Sequence, residues 1–95
     1  MSSGRTVAAL DGIGQDGRAR LLATLIRRFG DLDLAEDSLQ DAFAQALRTW
    51  PDSGVPDSPE AWLTTTAKRK ALDIIRRDAN LARKLAELHI EQGIE

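Results

Sequence analysis

The sequence predicts an all-α domain, a compact bundle of three to four helices, and three observations carry that prediction. Apolar residues recur at helical spacing along most of the 95 residues, and no stretch alternates apolar and polar in the manner of a strand. Tyr and Cys are absent and the aromatics are Phe29, Phe43, Trp50 and Trp62, so the core must be mostly Leu, Ile and Ala, which suit close-packed helices. Gly30, Pro51 and the run Pro-Asp-Ser-Gly-Val-Pro-Asp-Ser at 51–58 then stand where helices should stop. A chain of this length holds one core, so 1–95 is read as a single domain.

The first segment, residues 5–17, mixes signals. Val7, Leu10 and Ile13 recur at helical spacing, but Gly12, Gly14 and Gly17 each cost about 1 kcal/mol relative to Ala within a helix. A frayed or broken helix is expected there. From Arg18 to Phe29 the stripe Leu21, Leu22, Leu25, Ile26 and Phe29 predicts a regular amphipathic helix stopped by Gly30. Arg27 and Arg28 in its last turn suit the carbonyl end of the helix dipole.

The second helix is expected over about 34–49, with Asp33 as N-cap and Glu36 completing a near capping box. Leu39, Ala42, Phe43, Ala46, Leu47 and Trp50 form its apolar stripe, and Pro51 is expected to end it by discouraging Trp50 from helical geometry. An exposed loop at 51–58 follows. Ser58 then caps a third helix, with Pro59 at the first helical position and Glu60 in the first turn. Trp62, Leu63, Thr66, Ala67, Leu72, Ile74 and Ile75 give this helix an apolar side as far as about Arg77. Leu81, Leu85 and Leu88 predict further helix over 80–90, either continuous or offset at Asn80.

The net charge of −2 hides a segregation. Asp31, Asp33, Glu36, Asp37 and Asp41 fall in a stretch without a base, whereas Lys68, Arg69, Lys70, Arg76 and Arg77 are opposed locally by Asp73 alone. Two charged blocks of opposite sign imply two different partners. Without Cys, and with His89 as the sole His, the chain offers no disulfide framework and no His or thiolate metal cluster. No nucleophile, base and orienting group can be assembled, so the chain is read as a non-enzyme without cofactor. Gly12-Ile-Gly14-Gln-Asp-Gly17 matches G-x-G-x-x-G, but with no preceding strand the match is read as chance. No apolar run reaches spanning length and Met-Ser-Ser-Gly-Arg lacks a secretory core, so no membrane is expected and a cytoplasmic location is.

With Leu39, Phe43, Ala46 and Trp50 facing the core, Asp37, Gln40 and Asp41 share one outward patch at i, i+3 and i+4. Glu36 is assigned mainly to capping. A fixed amide beside a carboxylate in the second turn is suited to an arginine-rich partner. The whole tract from Ala35 to Trp50, Ala-Glu-Asp-Ser-Leu-Gln-Asp-Ala-Phe-Ala-Gln-Ala-Leu-Arg-Thr-Trp, resembles region 2 of extracytoplasmic-function (ECF) sigma factors in the sigma-70 superfamily. Their pattern is Ala-Glu-Asp-x-x-Gln-(Asp/Glu)-x-Phe-x-x-(Ala/Leu)-x-x-x-Trp. The similarity runs from Leu21 to Arg77 and takes in Ala61-Trp-Leu, then Ala67, Ala71 and Asp73, then Arg76-Arg77. The resemblance implies a sigma-70 region 2-like fold, with Asp37, Gln40 and Asp41 binding the clamp coiled coil of the RNA polymerase β′ subunit.

The helix from Pro59 to Arg77 is amphipathic and basic, a composition suited to phosphate contacts, with an aromatic and a polar loop nearby for an unstacked base. By the same resemblance it binds the non-template strand of the promoter −10 element and helps to open it, while 51–58 line a pocket for a flipped base. The DNA-binding candidates are therefore Asp52, Ser53, Thr64, Thr65, Lys68, Arg69, Arg76 and Arg77. Trp62 is read as a core anchor, and Asp73 as a partner that orients a neighbouring Arg. An anti-sigma protein is a further candidate partner. Many family members carry Asn where this chain has Arg69, so promoter preference does not transfer. The core is expected at about 18–79, with 80–95 starting a linker to a missing region 4 domain. The competing reading is a helical adaptor or dimerisation module that does not bind DNA.

Overall fold

Small residues set how closely these helices meet. Ala35, Ala42, Ala46, Ala67 and Ala71 are all fully buried, and the larger Leu25, Leu39, Leu63 and Trp50 fill the space between them. The computed structural model describes residues 2–91, with side chains from 4 to 90. It contains α1 (Ser2–Phe29), α2 (Leu32–Ser53) and α3 (Pro59–Glu91), each packed on both of the others. No strand occurs among the described residues, so the fold is all-α as the sequence predicts. Each of the large core side chains contributes about 1.5–3 kcal/mol by leaving water.

The expected break near the amino terminus is one residue. Gly14 has φ 65° and ψ −175°, a conformation essentially restricted to Gly, and it splits α1 into segments 2–13 and 15–29. The upstream segment is not frayed. Thr6 is 1% exposed and Ile13 9%, so packing begins before the expected residue 18. Ile13 lies on Gly17, where an added Cβ would come within 2.6 Å of its side chain.

The start of α2 differs from expectation. Asp31, not Asp33, is the N-cap: its carboxylate accepts from the Leu34 amide at 3.0 Å and its carbonyl from Ala35 at 3.0 Å. Gly30, at φ 69°, has already closed α1 by donating its N–H to the Ile26 carbonyl, leaving only a short connection before the next helix. Glu36 is consequently not a cap; it is an exposed residue of the second turn.

The end of α2 differs too. Pro51 lies inside the helix, which continues to Ser53 and stops at Gly54, φ 93°. Burial of Trp50 to 1% exposure and the 2.8 Å bond from the Gly54 amide to its carbonyl hold Trp50 in the helix against the preference that Pro51 imposes. The ring of Pro51 removes only the bond to the carbonyl of Leu47, which is on an exposed residue that water can reach. Asp52 and Ser53 are therefore helical, and the loop is 54–58.

Two apolar stripes are narrower than expected. Leu47 is 52% exposed because it lies about 100° around the helix from the buried Ala46. On α3 the buried positions are Leu63, Thr66, Ala67 and Ala71, which leave Leu72 and Ile75 exposed at 45% and 43%. Of the two alternatives at Asn80, continuous or offset, the helix is continuous. From Ile75 to Ile90 every residue of α3 is exposed, so the helix runs beyond the bundle and gives the molecule its 59 Å long axis. Residues 92–95 of the expected linker lie outside the described residues.

Gly14→Ala should destabilise the domain by about 1–3 kcal/mol, because Ala is strained at this φ. Gly12→Ala, in a regular helical position with nothing within 4 Å of the added Cβ, should stabilise it by about 0.5–1 kcal/mol. Urea unfolding of both variants measures the contrast, and effects of equal sign would contradict the kink.

Candidate functional site

The acidic face of α2 is positioned by the residues opposite it. Ala35, Ser38, Leu39, Ala42 and Ala46 are buried, so Glu36, Asp37, Gln40 and Asp41 are held outward. None of these four enters a side-chain hydrogen bond or ion pair among the described residues. Moving the cap to Asp31 also places Asp37 beyond the first turn, where the helix dipole contributes little. The patch thus has less folding work than the sequence reading granted it. Leu47, seven residues after Gln40, joins this face and adds an apolar side chain that was missed because it fits the core stripe equally well.

The basic candidates do not form one group. Thr65, Lys68, Arg69 and Arg76 follow each other at i, i+3, i+4 and i+11 along the outer side of α3; Lys68 is half-buried and the others are exposed. Arg77 is exposed on a different side, seven residues after the half-buried Lys70. Asp73 pairs with Arg76 at 3.0 Å, an exposed bridge worth little in stability but able to orient the guanidinium. The hydroxyl of Thr64 donates to the Glu60 carbonyl at 2.9 Å and that of Ser53 to the Thr49 carbonyl at 2.9 Å, so both would meet a strand as acceptors.

Between the two helices the site turns on a pair of indoles. Trp50 and Trp62 meet edge to face, with centroids 5.1 Å apart and planes at 71°, which brings the end of α2 to the first turns of α3. Trp62 is half-buried against the core, in keeping with its expected anchoring role. Beside this pair a cavity of about 340 Å³ is lined by Arg5, Trp50, Pro51, Asp52, Ser53, Gly54 and Val55. Sequence reasoning found the loop wall of this cavity but not Arg5, which no local pattern connects to residue 50.

Residues 15–81 match the family described as Sigma-70 region 2. The chain belongs to that family. Region 2 is a non-enzymatic transcription-factor domain, and here it covers all of α2 and the packed part of α3. An uncharacterized protein of Rhizobium meliloti (strain 1021) is 39% identical over 62 residues, which make up 65% of this chain and 15% of the relative. The chain thus spans a small part of that relative's length. No solved structure matches it. Among the described residues no helix is long and apolar enough to cross a membrane, and no three His, Cys, Asp or Glu side chains are grouped to hold a metal.

If the outward face of this region 2 has no folding role, Asp37→Ala, Gln40→Ala and Asp41→Ala should each alter unfolding free energy by less than about 0.5 kcal/mol. Trp50→Ala should cost about 3–5 kcal/mol in the same denaturant titration. A large loss at Asp37 or Asp41 would show that the face serves the fold.

Proposed function

We propose that this chain is the polymerase-docking and promoter-opening domain of a bacterial ECF-type sigma factor acting in the cytoplasm. The observation that carries the proposal is the exposed, unpaired patch Asp37, Gln40 and Asp41, held outward by a buried face within a region 2 sequence. Carboxylates flanking an amide offer charge-assisted hydrogen bonds to an arginine-bearing helix, and the β′ clamp coiled coil is the partner we assign to it. Leu47 supplies an apolar contact at the same surface.

On α3, Thr65, Lys68, Arg69 and Arg76 form the track for the −10 non-template strand. Their cations supply affinity without sequence preference, and the cavity beside Trp50 takes an unstacked base. Arg77 reaches the strand or a flanking phosphate from the other side of the helix. Binding energy spent on the single strand favours the open promoter over the duplex, which is how a protein without catalytic groups can assist melting.

A second reading has an observation of its own. Leu81, Leu85 and Leu88 are 57%, 57% and 50% exposed on the free part of α3, which suits a dimerisation module. Sedimentation separates the two, since an adaptor of that kind self-associates through these leucines whether or not polymerase is present.

Charge reversal at Asp37 or Asp41, and Gln40→Ala, should each weaken binding to the purified β′ clamp coiled coil at least about tenfold, or 1.4 kcal/mol. Unchanged affinity in all three would remove the docking assignment. For single-stranded −10 DNA, Arg69→Ala and Arg76→Ala should each lower affinity and reduce the log–log salt slope by about 0.7. Slopes equal to the parent's would remove the strand assignment.

A further inference from the structure

The family match begins at Gln15, yet the cavity at the end of α2 takes one wall from upstream of it. That wall is Arg5. The Gly14 break turns segment 2–13 out of line with 15–29, and the buried Thr6 and Ile13 hold the segment against the bundle. Arg5 is exposed and enters no hydrogen bond or ion pair among the described residues. Asp52, which lines the same cavity, is also unpaired among the described residues, so a cation and a carboxylate share one cavity without bridging it.

A second observation falls on the same cavity. Trp50 lines it and is 1% exposed, and its indole Nε1 is buried with no acceptor among the described residues. Buried donors in folded proteins are nearly always satisfied, and this one belongs to a residue that lines the cavity. The lining combines a guanidinium, a carboxylate, a hydroxyl and an indole with the half-buried Pro51 and Val55. A nucleotide uses three of these: phosphate oxygens for the guanidinium, an exocyclic amine for the carboxylate, and a flat face for the apolar wall. At about 340 Å³ the space lies at the small end of the range for small-ligand pockets.

We infer that Arg5 grips the phosphate of a nucleotide whose base occupies this cavity, which makes segment 2–13 part of the surface that reads single-stranded DNA. The inference rests on the reading of this cavity as a base pocket. A strand and a free nucleotide carry the same chemistry, so both are used as probes.

The 95-residue chain carries two indoles, Trp50 in the cavity wall and Trp62 packed edge to face on it, and their emission reports occupancy of the cavity. It is titrated with a random-sequence single-stranded 12-mer, and separately with the four deoxynucleoside monophosphates, over a range of salt. The strand should shift the emission. Arg5→Ala should weaken its binding about five- to tenfold at low salt and remove about 0.7 from the log–log slope, with Arg5→Lys restoring the slope. Tighter binding of a monophosphate than of the strand, lost in Arg5→Ala, would support the inference and assign the site to free nucleotides. Parental affinity and slope in Arg5→Ala, with loss in Arg76→Ala, would overturn it and leave the strand reading standing. No loss in either variant would contradict both, and no change of indole emission with any probe would overturn occupancy of the cavity.

Discussion

The contact between Trp50 and Trp62 is the constraint on which the rest of this domain depends. Buried to 1% exposure and met edge to face at 5.1 Å, Trp50 fixes the end of α2 against the beginning of α3. The grip is strong enough to keep Pro51 inside a helix, a position it would ordinarily vacate. Because the helix runs on to Ser53, Asp52 and Ser53 become part of a rigid rim, and the cavity beside them is walled by helix as well as loop. One aromatic pair thereby sets the connection, the start of the basic helix and the shape of the only part of the surface we assign to a base.

From this constraint follows the separation of roles between faces. A narrow buried seam of alanines and leucines leaves most of each helix free, and the free sides carry opposite charge: acid on α2, base along the outer side of α3. Neither side satisfies the other. The ion pairs among the described residues, Arg20 with Glu60, Asp73 with Arg76 and Arg83 with Glu87, are exposed, and none involves Asp37 or Asp41. Unspent charge of both signs on one small domain is what a bridge between a protein and a nucleic acid requires.

The helical class, the Gly30 stop, the break in the first segment and the Pro59 start were all legible, because each rests on periodicity or on the backbone limits of Gly and Pro. What escaped was decided by packing. Asp31 and Asp33 are equally good caps by type, and only the Gly30 closure chooses between them. Pro51 reads as a terminator until the burial of Trp50 is known. Leu47, Leu72 and Ile75 fit an apolar stripe, but alanine-lined helices approach so closely that the buried strip excludes them. Asp37, Gln40 and Asp41 could be placed on one outward face from spacing alone, whereas Arg5 reaches its cavity through a kink whose direction no sequence pattern encodes.

In the proposed reading α2 and α3 hold different partners at the same time. Photo-crosslinking tests it most directly, with a benzophenone amino acid placed at Gln40 in one preparation and at Arg69 in another, each mixed with polymerase core and single-stranded −10 DNA. Position 40 is predicted to join the β′ subunit and position 69 the DNA strand. Both positions joining the same partner, or joining a second copy of this chain, would contradict the account.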